Sequence, residues 1–358
     1  MVNYALIGSG WRAEFYIRIA KALPDHFNLT SVLIRDHQKG VDFSRKFEVP
    51  VCNTLDALMH TSPDFVVLAV KRGITTEYLL DLFDKQIPVM TETPPGESKE
   101  DLVRLWESSK AFSAKVQVAE QYFLQPLYAS WKNVINEKML GEITNMSISS
   151  LHGYHGVAMI RYFLETGFEN CKITGKRYHF PVTETYGREG MCFDGVMFSC
   201  PRDRATLEFE NGKVCYFDFS DPAQYHSFIR TRQLNIQGTR GEIDDLTVRY
   251  LTENNVPVTE NLNRIDLGVY GNQEWSHYGI MLGERMLYRS PYKNARLNDD
   301  EIAVASLLDG MEQYMRTGKD IYSLRNALQD MYLNLMMEDA YKKEYAYVET
   351  SDQPWKNN

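Results

Sequence analysis

Six residues near the start of the chain, GSGWRA from Gly8 to Ala13, constrain its fold more than any others. They stand between an apolar run, YALIG, and a segment in which Phe15, Ile19 and Leu23 recur at helical spacing, with Tyr16 and Ala20 widening the stripe. In a G-x-G-x-x-A turn between a buried strand and a helix, Gly8 permits the tight turn and Gly10 lets the backbone approach a pyrophosphate. Ala13 keeps the helix close to the sheet, and the first N–H groups of the helix then face an anion. Ser9, Trp11 and Arg12 occupy the intervening positions and join the candidate dinucleotide contacts. Taken alone, the motif also suits a glycine turn with no ligand.

The remainder of the first third alternates strand and helix, as such a turn requires. Apolar runs at 32–34, 49–52 and 65–70 read as the second, third and fourth strands. The last of them, FVVLAV, is uninterrupted, as in a strand covered on both faces. Tyr78, Leu79, Leu82 and Phe83 mark the helix that follows. PVMTETPPG (88–96) supplies a fifth strand and its exit, with consecutive prolines stopping the chain. Ser98 with Asp101 forms a helix-capping pair ahead of Leu102, Leu105 and Trp106, and KVQVA is a sixth strand. The pattern predicts a Rossmann-type, doubly wound parallel sheet over residues 1–121.

Ligands bind such sheets at the C-terminal ends of the strands. Val70 and Lys71 follow the fourth strand, where the lysine either brings charge to the site or lies in a solvated loop, and Glu92 and Thr93 stand at the tip of the fifth. The second strand ends VLIRDHQKG. Ile34, at the expected discriminating position, cannot accept a hydrogen bond. Arg35 would tolerate a 2′-phosphate and Asp36 could reach a ribose hydroxyl, so the balance leans to NADP over NAD, with a solvent-facing Arg35–Asp36 pair as the alternative.

A chain of 358 residues exceeds one ordinary core, which predicts a second domain over residues 122–358. There RATLEFENGKVCYFDF alternates apolar residues at Ala205, Leu207 and Phe209, turns at Asn211-Gly212, and alternates again at Cys215, Phe217 and Phe219. Similar alternation around Met146 and Ile148 and around Leu234 and Ile236 predicts one open, mainly antiparallel sheet. Helices are expected at 300–317, with Gly318 as the stop, and at 323–343, giving an α+β domain. LHGYHGVAMIRYFLETG (151–167) places His152, Tyr154 and His155 ahead of an amphipathic helix whose buried face is Val157, Ile160 and Leu164. This cluster is either a site or a solvated loop.

Five cysteines without a C-x-x-C pair argue against a disulfide framework or a zinc site, and no metal is expected. A net charge of −9 with no Lys/Arg cluster excludes a nucleic-acid partner and points to a small molecule. No segment is apolar and long enough to span a bilayer, and the first residues lack the features of a signal peptide, so a cytoplasmic protein is expected.

GSGWRA, the tripeptide Glu92-Thr93-Pro94, AEQYFLQPLYASWKNVINEKMLGEI (119–143) and IQGTRGEI (236–243) together resemble the Gfo/Idh/MocA family of sugar and polyol dehydrogenases. The resemblance implies an NAD(P)-dependent oxidoreductase that moves a hydride between a nicotinamide and a sugar, polyol or related hydroxyl or carbonyl substrate. It also implies a homo-oligomer, a dimer or tetramer. The family's tripeptide is Glu-Lys-Pro, so Thr93 stands where the family has the lysine beside the nicotinamide. A threonine hydroxyl donates a hydrogen bond but is no acid or base near neutral pH. The family's Asp-x-x-x-His signature aligns its histidine with His155 and its aspartate with Leu151. Catalysis would then rest on His155, with Thr93 and the junction residue Tyr122 beside the substrate and Glu92 in a positioning role. The two departures leave open a cofactor-binding sensor or regulator, and a lyase or glycosidase that uses transient oxidation.

Overall fold

The computed structural model describes residues 1–187, 190–225, 228–269 and 272–357. The chain forms two compact units. The first comprises Met1–Ala129, Arg264–Gly279 and Tyr288–Leu328, and the second comprises Ser130–Asn263, Ile280–Leu287 and Gln329–Asn358.

In the first unit, β1 (Val2–Ile7), β2 (Phe27–Leu33), β3 (Val51–Cys52), β4 (Phe65–Leu68), β5 (Val89–Thr91) and β6 (Val116–Val118) form a parallel sheet in the order β3-β2-β1-β4-β5-β6. The connecting helices are α1 (Trp11–Ala22), α2 (His37–Phe47), α3 (Leu55–Met59), α4 (Thr75–Asp84) and α5 (Lys99–Ala111). This is the expected doubly wound sheet, with the reversal of strand order between β1 and β4. The third strand is shorter than expected and begins at Val51. Helices α2 and α3 were not visible in the pattern. Phe43 is the one large apolar side chain that α2 buries, and α3 has five residues, so neither shows a helical period. Both start on side-chain caps, from Asp36 and Thr54.

Helix α8 (Asp299–Thr317) belongs to this same unit. Its Ile302, Leu307, Leu308 and Met311 share one core with Tyr4, Ile17, Ile19 and Phe27.

The strands of the second part are β7 (Ile143–Ser149), β8 (Cys171–Thr183), the short β9 (Tyr186–Gly187) and β10 (Gly190–Met191), β11 (Met197–Phe209) and β12 (Val214–Phe219). They continue as β13 (Gln233–Gly238), β14 (Gly241–Asp244), β15 (Thr247–Leu251), β16 (Pro257–Val269), β17 (Asn272–Leu282), β18 (Arg285–Arg289) and β19 (Val348–Glu349). All but β9 and β10 join one sheet, ordered β18-β17-β16-β15-β14-β13-β7-β12-β11-β8-β19. The expected hairpin is in place, with Ala205 opposite Phe217 and Leu207 opposite Cys215, and Gly212 adopts φ +83° in its turn. The pairing of β12 with β7 is parallel. Helices α6 (Pro126–Asn136), α7 (Gly153–Leu164) and α9 (Leu324–Lys342) complete the set. One expectation is corrected here. Helix α7 is not amphipathic: it is buried on nearly every side, because its apolar residues, with Gly156 and Ala158, leave no polar stripe. Among the described residues no helix is long and apolar enough to cross a membrane.

Candidate functional site

In the first unit the chain turns from β1 into α1 at Gly8, where φ is +129°. A Cβ there would stand 2.1 Å from the carbonyl oxygen of Ala69, just past β4, so this turn excludes any side chain. Gly10 is different. Its backbone is extended, a Cβ would meet nothing within 4 Å, and as the N-cap of α1 it contributes no side-chain hydrogen bond. The first-turn N–H groups of α1 therefore lack a capping side chain, beside open space. Ala13 is fully buried against the sheet. A dinucleotide pyrophosphate fits this cradle, which combines a helix N-terminus, room at Gly10 and no competing cap.

Arg12 lies behind the turn. Its Nε donates to Glu92 Oε1 at 2.8 Å, its Nη1 donates to Asp300 Oδ2 at 2.8 Å, and its Nη2 is buried with no partner among the described residues. Tyr16 donates its hydroxyl to the same Glu92 oxygen, and burial together with the Glu92 charge pushes its phenol well up, so it remains a donor. Glu92 is thus tied to α1, and it holds the tip of β5 where Thr93 begins the proline turn. Lys71 is exposed and Val70 half-buried after β4.

Arg35 donates from Nη2 to the Tyr78 hydroxyl and stacks on that ring, with Cζ 5.0 Å from its centroid. The two rim a cavity of about 180 Å³ whose apolar wall includes Leu33, Leu55 and Leu82, with Asp81 at its edge. Asp36 instead caps α2, accepting from the backbone N–H of Lys39 at 2.8 Å. Tyr122 is buried in a 3₁₀ turn, residues Tyr122–Leu124, and its N–H donates to Glu120 Oε1 at 3.2 Å.

Sequence reasoning passed over Glu120, Tyr16 and Asp300. Burial pushes the Glu120 carboxyl well above the usual range, opposed by the Tyr122 N–H. A lone carboxylate at the end of the apolar strand KVQVA was its available signal. Asp300 offered none, since its partner lies 288 positions away.

His155 belongs to the second unit, whereas Thr93 and Tyr122 belong to the first. His152 is the N-cap of α7 and leaves its backbone uncapped by a side chain. The hydroxyl of Tyr154 lies 3.0 Å from His155 Nε2, with both residues buried. The His152 ring meets His155 edge-on at 5.2 Å and approaches Tyr225 at the same distance, and its Nδ1 is 3.9 Å from Asp221 Oδ2. Leu151 is buried. The His152–His155 turn is therefore a packed aromatic and imidazole cluster, able to relay a proton between a phenol and an imidazole.

Residues 2–120 match the profile of the Gfo/Idh/MocA oxidoreductase family, described as an NAD-binding Rossmann fold. The match covers the first third of the chain and places the Gfo/Idh/MocA type of Rossmann domain there. YteT of Bacillus subtilis (strain 168), provisionally named an oxidoreductase, is 25% identical over 171 residues, which are 45% of this chain and 40% of YteT. The match thus spans less than half of that relative. An oxidoreductase from Agrobacterium radiobacter, solved with NAD+, L-tartaric acid and magnesium, superposes with a TM-score of 0.69 at 15% identity, covering 97% of this chain and 98% of that one. Levoglucosan dehydrogenase in complex with NADH superposes at 0.72 with 14% identity over 98% and 100% of the two chains. At these identities the structures share the fold, a Rossmann sheet followed by a large mixed sheet. Residues 2–120 are thus similar to the NAD-binding Rossmann domain of that oxidoreductase family, and Thr93 stands in the tripeptide Glu92-Thr93-Pro94 at the tip of β5.

Proposed function

We propose that this protein is an NAD(P)-dependent dehydrogenase that moves a hydride between the nicotinamide and a CH–OH or carbonyl carbon of a sugar, polyol or related substrate. Residues 1–121 would bind the dinucleotide and residues 122–358 the substrate. The observation that carries this reading is the turn at Gly8–Ala13, whose uncapped helix start and open space at Gly10 suit a pyrophosphate. The cofactor, when bound, gives or accepts the hydride. The chain's own residues bind, orient and move the proton. Gly8, Ser9, Gly10, Trp11, Arg12 and Ala13 would hold the pyrophosphate, with Val70, Lys71 and Glu92 at the neighbouring strand tips. Arg35, on the rim of the cavity beside Tyr78, would take a 2′-phosphate, and Asp36 would lie near the ribose, so the reading leans to NADP.

His155 is the proposed acid/base group, with Tyr154 at its Nε2, and Thr93 and Tyr122 would bond the substrate neutrally. Leu151, apolar and buried where the family has an aspartate, favours a second reading in which cofactor and ligand bind without turnover. The working form is taken as a homo-oligomer.

A panel of sugars and polyols with NAD+ and NADP+, followed by nicotinamide absorbance, tests the dehydrogenase. His155→Asn should lower turnover by about 100-fold with NAD(P)H affinity retained. Binding of neither dinucleotide would end both readings, and binding without turnover across the panel would favour the second.

A further inference from the structure

Glu120 lies inside the first unit, 1% exposed, just past the end of β6. Its strand runs beside β5, with Val118 opposite Thr91 and the Ala119 N–H donating to the Thr91 carbonyl at 2.8 Å. Glu120 and Glu92 therefore stand at the tips of neighbouring strands. The 3₁₀ turn that follows donates the Tyr122 N–H to Glu120 Oε1 and leads to Gln125, whose Nε2 donates to Asp300 Oδ1 at 3.3 Å. Glu92, Glu120 and Asp300 thus come from β5, β6 and α8 to one guanidinium, that of Arg12, which pairs with the first and the last.

The charges in this cluster do not balance. Glu92 and Asp300 oppose Arg12, and the Tyr16 phenol stays neutral, so an ionised Glu120 would be a further negative charge in a place closed to water. Burial pushes its carboxyl well up against the pull of the Tyr122 N–H, and Glu92 and Asp300 add to the rise while Arg12 offsets them. Arg12 is also part of the Gly8–Ala13 turn. One side chain therefore belongs to both the cradle and the cluster.

We propose that Glu120 gains or loses a proton according to the charge of the bound dinucleotide, ionised beside the oxidised form and neutral beside the reduced one. The inference rests on the dehydrogenase reading above, which brings the cofactor to these strand tips. The two forms share every phosphate and differ by one positive charge on the nicotinamide ring, so that charge alone separates them. A unit charge about 10 Å away, at an effective dielectric near 20, changes the proton affinity of a carboxyl about tenfold. Binding of the oxidised form therefore converts the neutral Glu120 carboxyl to its carboxylate and releases the proton to solvent, whereas the reduced form binds with the proton kept. By linkage, rising pH favours the oxidised form over the reduced one, because it supplies the ionised Glu120 that the cationic ring prefers.

Calorimetric titration of the full chain with NAD+, NADH, NADP+ and NADPH, across the pH range in which it stays folded, tests this. For the pair that binds, the ratio of oxidised to reduced Kd should fall about tenfold from the acid to the alkaline end. It should be flat in Glu120→Gln and should change again in Glu120→Asp, with its midpoint displaced. A merely structural Glu120 would weaken both forms alike and leave the pH dependence in place. Far-UV circular dichroism checks that each variant is folded. If Glu120→Gln is not, Glu120→Asp decides, and an undisplaced midpoint overturns the proposal. A native ratio that ignores pH overturns it too, as does a dependence that survives in Glu120→Gln, and in both cases the dehydrogenase reading stands. Binding of neither dinucleotide overturns that reading and this inference together.

Discussion

Gly8 and Gly10 stand two positions apart and are constrained by different things. Gly8 serves the fold, since its φ of +129° and the Ala69 carbonyl leave no room for a side chain. Gly8→Ala should cost about 2–4 kcal/mol, read as a lower melting temperature. Gly10 has no such neighbour, and its proposed role is to leave room for the pyrophosphate. Gly10→Val should melt like the native protein yet lose NAD(P)H binding by calorimetry, because the new side chain fills the space beside the helix start. The turn at Gly8 was legible, since a glycine pattern states a local need. The partners of Glu92 were not: Arg12 and Tyr16 reach it from a helix some eighty positions earlier. Glu120 gives the pH prediction. Its carboxyl is raised in the fold, so the native state holds that proton more tightly than the unfolded chain, whose value is about 4.3. Stability from this group is complete at low pH and declines as pH rises toward the folded value. The melting temperature of the native protein relative to Glu120→Gln should therefore fall as the pH rises above the unfolded carboxyl's value. A constant difference would mean that Glu120 is ionised in the fold.

Among the elements, α8 shows how much a helix start can hold. The Asn298 side chain accepts from Glu301 N at 2.8 Å, and Glu301 Oε2 accepts from Asn298 N at 3.0 Å. Three consecutive acids then take three arginines: Asp299 takes Arg264, Asp300 takes Arg12 and Glu301 takes Arg18. Negative charge suits the helix N-terminus, so capping and pairing act in the same direction. Asn298→Ala should lower stability by about 1 kcal/mol in urea unfolding without changing dinucleotide affinity. The extent of this helix was readable from apolar spacing and from Gly318, which ends it at φ +74°. α2 and α3 were not readable, because helices that bury one or two side chains are specified by caps and packing more than by period. The burial of α7 was missed because amphipathicity was inferred from three positions on one face, while the sheet and other segments cover the rest.

At the scale of the molecule, two compact units share one chain, and the cradle at Gly8–Ala13 belongs to the first. A ligand that binds only the folded state stabilises it by mass action, by about 2.7 kcal/mol at a hundredfold excess over its Kd. NADPH or NADH at that ratio should raise the first unit's melting transition by several degrees in calorimetry and leave Gly10→Val unmoved. Equal shifts in both proteins would place binding elsewhere. By itself the sequence determined the alternating strands and helices of the parallel sheet, the glycine turn and the 205–219 hairpin. Each follows from a local rule: a two-residue or 3.6-residue period, or a backbone angle that glycine favours. Only the tertiary structure decided that β4 lies beside β1, that α8 enters the core of the first unit, and that Arg12 lies between Glu92 and Asp300. Those pairings join segments up to 288 positions apart, and they are selected by the joint burial of faces and charges, which leaves no periodic trace in either segment.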